Sequence, residues 1–302
     1  MKFMTFHYLE QSKCQYKMVY LEALTIHGTN DEIEKRGGAK QMKKTFVQKH
    51  PYIATILVGL LCTFMTALGM AVPQIMGLDT NSIYIVATVF LSISIAIGIF
   101  IMKKSKLTLA DYGFRKSENG SFSKVWWYTP LLAVEVLPIV IYGFSSKILP
   151  TQYIILALFT IAVGFNEEIY FRGLALKFLV EKGRTRAIIC SSIIFGVLHL
   201  ANALNGKNVV YLVLQIFFAF LVGIVLSEIV SITKSLWIVI IWHAVHDFIS
   251  STTGESLDSR ALIILAIQAA ILLIYAIGIW KRSNVKKNAT LGAGECGYNS
   301  FN

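Results

Sequence analysis

The sequence predicts an all-α membrane protein, a polytopic bundle of about eight transmembrane helices with both termini in the cytoplasm. Three observations lead to this fold class. The mean hydropathy is +0.62, and only 15% of the residues are charged, whereas a soluble protein has about 25%. Apolar runs recur between Pro51 and Trp280 and match the roughly 20 residues that cross a bilayer. Lys and Arg are concentrated between these runs.

The apolar runs divide the chain into three parts. A polar N-terminal extension covers residues 1–50, the transmembrane domain covers 51–280, and a polar C-terminal tail covers 281–302. No apolar signal-peptide segment precedes Pro51. Met42-Lys43-Lys44 resembles the start of a bacterial membrane protein, so residues 1–41 are expected to be dispensable or a mis-assigned start. The predicted spans are 52–72, 82–102, 125–144, 151–176, 187–204, 209–230, 235–250 and 261–280.

The loops between the predicted spans alternate in basic content. Loops 103–124 and 177–186 are rich in Lys and Arg, whereas loop 73–81 has neither and loop 145–150 has only Lys147. This alternation follows the positive-inside rule and predicts an even number of spans. The style of the loops indicates a bacterial cell membrane. It also accounts for the net charge of +11 without a nucleic-acid partner. The four cysteines form no CxxC pair, so neither a disulfide framework nor a zinc knuckle is indicated.

Ionisable residues inside predicted spans are energetically costly and therefore mark functional sites. In the fourth span, Glu168 and Arg172 have i,i+4 spacing, which brings them together on one helix face. Glu167 points about 100° away and has no local cation, which suits a general base or acid. The alternative is that all three residues form one packing salt bridge.

The fifth and seventh spans contain three of the six histidines. His199 and Asn202 share a helix face, although a single helical histidine is more often a packed core residue than a catalytic one. His243 and Asp247 have i,i+4 spacing, so the imidazole and carboxyl groups can hydrogen-bond or face a common ligand. His246 lies off that face and is expected only to pack.

These side chains could activate a water molecule and stabilise an oxyanion. The chain has no GxSxG motif, and neither intramembrane cysteine has a helical histidine partner, so a water nucleophile is favoured over a covalent one. Glu167, His199 and His243 could instead bind zinc, but HExxH is absent. No cofactor is therefore predicted, and metal dependence stays open.

The order of three motifs carries a resemblance to a known family. The patterns EExxxR, FxxxH and Hxxx(N/D) on three spans are similar to the CPBP family, which includes the type II CAAX proteases and the bacteriocin-processing, or ABI, proteins. The resemblance covers roughly residues 125–250, and each motif alone is weak. The matching residues are Glu167, Glu168, Arg172, Phe195, His199, His243 and Asp247.

The resemblance implies an intramembrane glutamic-type endopeptidase. It gives Glu167 and His199 the activation of water, and His243 and Asp247 the oxyanion site. This chain has Asp247 where the best-studied members have Asn, and a carboxylate cannot donate to an oxyanion unless it is protonated. Asp247 is therefore expected to orient His243. The supporting residues are Glu168, Arg172, Phe195 and Asn202.

Two other functions compete with proteolysis. One is a bacteriocin self-immunity or accessory membrane protein, with or without proteolysis. The other is a transporter or proton relay that uses the buried carboxylates, although the five prolines are few for the broken helices of transporters. The predicted partners are membrane lipids and a peptide or protein substrate.

Overall fold

The computed structural model describes residues 45–117, 128–205, 209–253 and 259–295. The predicted N-terminal extension lies outside the described residues as far as residue 44, and a helical turn at Phe46–Lys49 leads into the bundle. The main helices in these ranges are α1 (Pro51–Ile75), α2 (Thr80–Lys104), α3 (Thr129–Tyr142), α4 (Pro150–Glu168), α5 (Arg184–Leu198), α6 (Val209–Thr233), α7 (Trp237–Thr252) and α8 (Ser259–Glu295).

These helices confirm the prediction of an all-α polytopic bundle. Helices α1 to α8 coincide one by one with the eight predicted spans. In the described part of the chain, six helical segments are long and apolar enough to cross a membrane. The remaining two, α3 and α7, have 14 and 16 residues, or about 21 and 24 Å at 1.5 Å per residue. The number of spans therefore stays a prediction.

Local sequence explains where several helices begin and end. Proline occupies the first turn of α1, α3 and α4, where its missing N–H has no helical acceptor to lose. Asp79 caps α2 by accepting hydrogen bonds from the backbone N–H groups of Asn81 and Ser82, at 2.9 and 3.2 Å. Helix α8 continues to Glu295, past the start of the predicted polar tail at residue 281.

A proline inside α3 creates a tie between two helices. Pro138 has no N–H to donate to the carbonyl of Val134 four residues earlier. The Gln268 side chain of α8 donates to that carbonyl instead, at 2.8 Å. The Val134 carbonyl would otherwise have no hydrogen-bond donor in an apolar environment. Its bond to Gln268 holds α3 against α8.

The eight main helices of the described residues can be followed from neighbour to neighbour around a closed ring. Helix α1 packs against α2, and the sequence of neighbours continues through α4, α7, α3, α8, α6 and α5 before returning to α1. Large apolar side chains on the outer faces are exposed, for example Val140 at 75% and Ile274 at 71%. Such extensive exposed apolar surface fits contact with lipid.

A reporter fused after Lys287 is expected to be cytoplasmic. The basic loops at 103–124 and 177–186 should lie on the same side, because positive loops are retained there. Fusions to green fluorescent protein report a cytoplasmic location, and fusions to alkaline phosphatase report an external one. A fusion within loop 73–81 is the matched control and should be external. An external C-terminal tail would contradict the predicted even number of spans.

Candidate active site

A short π-helix at the end of α4 organises the buried charges. It spans Ile169–Ala175, directly after Glu168, and all seven of its residues are buried. Such insertions into α-helices are frequent at functional sites. Nη1 of Arg172 lies 2.9 Å from Oε1 of Glu168, with both side chains almost completely buried. The predicted ion pair is therefore present within the wider helical turn.

Glu168 has a second partner on α7. Nδ1 of His243 lies 2.7 Å from the same Oε1 atom that accepts from Arg172. The sequence spacing had assigned Glu168 to Arg172 alone, because i,i+4 neighbours on one helix are visible in the sequence and contacts between helices are not. Glu168 thus connects the EExxxR segment to α7.

The other ring nitrogen of His243 lies between two carboxylates. Nε2 is 3.6 Å from Oε2 of Glu167 and 3.7 Å from Oδ2 of Asp247. Both separations are ion-pair distances that exceed a good hydrogen bond. Nδ1 donates the short hydrogen bond to Glu168, whereas Asp247, which was expected to orient the ring, approaches Nε2 at ion-pair distance. Oε2 of Glu167 is buried and has no hydrogen-bond partner.

The backbone determines the tautomer of neutral His199. Its Nδ1 lies 2.9 Å from the carbonyl oxygen of Phe195. A carbonyl only accepts hydrogen bonds, so Nδ1 must carry the proton and Nε2 is left as the acceptor. At His199 the chain changes from α5 to a 3₁₀-helix, His199–Asn205. Residues i and i+3 eclipse in this helix, which keeps Asn202 on the same face as His199.

The buried ring of Phe195 packs against several site residues. Its centroid lies 4.8 Å from the ring of His199 and 6.2 Å from the ring of His243. The Arg172 guanidinium carbon lies 4.3 Å from the same centroid, within the range of a cation–π interaction. Phe195 therefore supports both histidines and the Arg172 cation, although the sequence alone shows it only as an apolar residue.

Glu167 and His199 line one cavity. The cavity has a volume of about 110 Å³ and lies between α1 and the end of α5. This volume accommodates a few water molecules. His243 and Asp247 are not among its lining residues, and His243 adjoins it through Glu167. The lining also includes Cys62, Thr63, Thr66, Met70, Phe171, Phe195, Leu198 and Asn202.

Asn202 and Asn166 tie this region to neighbouring helices. The Asn202 amide donates to Oε1 of Gln215 on α6, at 3.1 Å. The Asn166 amide, fully buried one residue before Glu167, lies 3.2 Å from Sγ of Cys62 on α1. These contacts hold α1 and α6 against the segments that carry Glu167 and His199.

Two buried acidic residues were missed in the sequence analysis. Glu135 on α3 lies 3.0 Å from Nδ1 of His246, whose ring stacks between Trp242 and Phe218. His246 therefore packs as expected, but it also has a charged partner. Glu228 is completely buried on α6. The available signal was that each is the single charged residue of an otherwise apolar segment.

A zinc site among the catalytic candidates was left open by the sequence. Within the residues that the structure describes, no group of three or more His, Cys, Asp or Glu side chains is arranged to hold a metal ion. The carboxylates of Glu167 and Asp247 both approach Nε2 of His243, at 3.6 and 3.7 Å.

Comparison with known protein families identifies the part of the chain that contains these groups. Residues 149–249 match the family model described as "Type II CAAX prenyl endopeptidase Rce1-like". This region is an Rce1-like domain. The match confirms the resemblance to the CPBP family, and a search of curated proteins finds no match. The Rce1-like domain extends from α4 to α7 and contains all three motifs. At the level of the family, the match supports a CAAX-type intramembrane protease.

The Rce1-like domain depends on a close crossing of α4 and α7. A Cβ atom on Gly164 would lie 3.0 Å from both the Ile240 carbonyl oxygen and the Ala244 backbone nitrogen. Small residues allow such close approach of membrane helices. Because backbone atoms cannot rotate away, a larger side chain must separate the two helices that carry Glu168 and His243.

Gly164→Val is expected to lower the free energy of unfolding by about 1–3 kcal/mol through overpacking, and to reduce cleavage activity. The measurements are unfolding in detergent and peptide hydrolysis by purified protein. Gly278→Val on α8 is the matched control, since nothing lies within 4 Å of a Cβ there. Equal effects of the two substitutions would contradict a specific role for this crossing.

Proposed function

We propose that this protein is an endopeptidase that hydrolyses a peptide bond of a membrane-associated protein or peptide with an activated water molecule. The observation that carries the proposal is the shared cavity of Glu167 and His199. Glu167 presents a carboxylate oxygen without a hydrogen-bond partner. Neutral His199 has its Nε2 atom available as an acceptor, because Nδ1 donates to Phe195.

Glu167 and His199 together provide the proton acceptors that water needs. A water in the cavity donates one proton to the Glu167 carboxylate and hydrogen-bonds to Nε2 of His199. Its oxygen forms a bond to the carbonyl carbon of the substrate, and the carbonyl becomes an oxyanion. The C–N bond then breaks, and Glu167 returns the proton to the leaving amine.

His243 is the donor that the oxyanion requires. Glu168 accepts at Nδ1 and fixes the ring orientation, which leaves Nε2 directed towards Glu167 and Asp247. Two carboxylates near Nε2 stabilise an N–H at this position. A preorganised donor of this kind contributes about 3–4 kcal/mol to stabilising an oxyanion. In this arrangement Asp247 supports the charge on His243 without needing to donate a proton itself.

The substrate reaches this site through the membrane domain. The cavity is lined largely by apolar and hydroxyl side chains of α1 and α5, so an apolar peptide segment can approach Glu167 without entering bulk water. We place the protein in a bacterial cell membrane on the basis of its loop composition. Membrane lipids and a peptide or protein substrate are the proposed partners.

The direct test is hydrolysis by the purified full-length protein in detergent. A library of membrane-segment peptides, with and without a prenyl group on cysteine, is incubated with the protein and analysed by mass spectrometry. Cleavage should persist in the presence of a chelator and disappear in His199→Ala. If cleavage stops with the chelator and returns with a metal ion, a metal activates the water, and the proposed activation by Glu167 and His199 alone is wrong. Absence of cleavage for every peptide would favour the immunity-protein alternative.

Single-turnover hydrolysis in H₂¹⁸O tests whether Glu167 itself attacks the substrate and is then regenerated by water at its own carboxyl carbon. If water attacks directly, the first ¹⁸O atom appears in the new C-terminal carboxyl group of the product. If Glu167 itself attacks, the first ¹⁸O atom appears in the Glu167 side chain when the acyl-enzyme bond is hydrolysed at that carbon. The proposal predicts the first result and is contradicted by the second.

A further inference from the structure

A second and larger cavity lies on the other side of the ion-paired cluster. It has a volume of about 330 Å³ and is formed by the ends of α5 and α6, the chain after α2 and the π-helix. Five cationic side chains and one carboxylate line it, so its formal charge is five minus one, or +4. These residues are Arg115, Arg172, Lys177, Arg184, Lys234 and Asp111.

Arg172 gives this cavity a buried donor. The side chain is only 1% exposed, and Nη1 is bonded to Glu168. Nη2 is buried as well and has no hydrogen-bond partner. An unsatisfied buried donor is costly, and the cost is greater for a charged group. Arg172 also lines the cavity, so its positive charge lies at the cavity wall.

Lys234 adopts an unfavourable backbone conformation at the edge of the cavity. Helix α6 ends at Thr233, and Lys234 follows it with φ of 56°. Its backbone N–H donates to the Val230 carbonyl at 2.8 Å, as in a left-handed helix cap. Glycine is the usual residue in this position because a Cβ atom disfavours it. The Lys234 side chain is exposed and lines the cavity despite this backbone cost.

The chain around Lys234 is held in place by specific contacts. The backbone N–H of Leu236 donates to the Gly113 carbonyl at 2.8 Å, and the Ser235 hydroxyl donates to the Arg115 carbonyl at 2.7 Å. Gly113 has φ of 104°, and a Cβ atom there would lie 2.8 Å from Leu236 Cγ. These contacts bring the segments that carry Arg115 and Lys234 together at the cavity.

The first turn of α5 adds to the positive potential. Arg184 and Ala187 of this turn line the cavity, and the preceding residue, Gly183, provides no side-chain cap. Helix N-termini favour anions through their dipole and their N–H groups. The lining carboxylate of Asp111 is engaged locally, because it accepts hydrogen bonds from the Thr108 backbone N–H and hydroxyl at 2.8 and 2.7 Å.

We propose that this cavity binds a phosphate group, contributed by an anionic lipid headgroup or by free phosphate. Arg172 is paired with Glu168, but the lining cations still outnumber the one lining carboxylate. Arg guanidinium groups bind phosphate oxygens through two parallel N–H bonds. Arg172, Lys177 and Lys234 are the proposed contacts. The basic loops around the cavity lie on the predicted cytoplasmic side, at the level of lipid headgroups. This proposal is independent of the cleavage reaction.

Lys234→Gly provides the principal test. It removes the ammonium group and places glycine in the left-handed conformation, so the ligand-free protein should unfold at the same temperature or higher. Binding of dioctanoyl phosphatidic acid to the full-length protein in non-ionic detergent is measured by thermal shift and calorimetry. Its Kd should increase about tenfold in Lys234→Gly, the effect of one lost charge-assisted hydrogen bond. Lys177→Ala is a second variant with the same expectation.

Lys182→Ala is the matched control, because Lys182 lies shortly after Lys177, is exposed and does not line the cavity. It should bind with wild-type affinity. Dioctanoylglycerol, which has the same chains and no phosphate, should not bind. Inorganic phosphate that binds as tightly as the lipid would support the site and identify free phosphate as the source. Failure of both phosphate ligands to bind, or wild-type affinity in both cavity variants, would overturn the proposal.

Discussion

Glu167→Gln is expected to reduce peptide cleavage by about 10²- to 10⁴-fold, the contribution of a general base, while the unfolding temperature in detergent stays almost unchanged. Glutamine keeps the size of the side chain and loses its ability to take a proton from water. Oε2 of Glu167 has no hydrogen-bond partner, so the amide breaks no short bond there. The measurements are the cleavage rate at saturating peptide and the unfolding temperature of the same preparation.

Glu168→Gln is the matched control, because it makes the same chemical change at the neighbouring residue. Oε1 of Glu168 binds both Arg172 and His243 at 2.9 and 2.7 Å, so this variant should lose stability as well as activity. The contrast separates a group that reacts from one that holds other groups in place. If Glu167→Gln is destabilised while Glu168→Gln is stable but inactive, the two assignments are the wrong way round.

The membrane fold could be predicted from the sequence because its main determinant is local. A bilayer requires each span to be apolar and to satisfy its own backbone hydrogen bonds, so every span is visible as one continuous segment. Helices α1 to α8 accordingly coincide with the predicted segments. The change to a π-helix after Glu168 and to a 3₁₀-helix at His199 has no comparable signal, because both depend on packing with neighbouring helices.

The site residues could be found from the sequence more readily than their contacts could. Glu168, Arg172 and His199 are conspicuous because ionisable groups are rare inside spans. The spacing of one helix predicts the Glu168–Arg172 pair, whose nitrogen and oxygen lie 2.9 Å apart. It cannot predict the bond between Glu168 and His243, which are 75 residues apart in the sequence. The same limit explains why the Glu135–His246 pair was missed.

The buried position of Glu168 leads to the largest expected effect on stability. Glu168→Ala should lower the free energy of unfolding by about 3–5 kcal/mol, because it leaves a buried charge without its partner. The stranded charge is Arg172, whose side chain is 1% exposed. His243 loses the acceptor at Nδ1 at the same time. Unfolding by denaturant titration in detergent measures the change, and Glu181→Ala on an exposed turn is the control.

The double variant Glu168→Ala/Arg172→Ala tests whether the stranded charge is the cause. Removing both partners eliminates the unpaired cation, so the double variant should be more stable than Glu168→Ala alone. The two substitutions should therefore be strongly non-additive, as expected for residues in direct contact. Cleavage should stay absent, because His243 is still without the bond that orients its ring. Additive losses would instead mean that cavity formation, rather than an unpaired charge, determines the cost of losing Glu168.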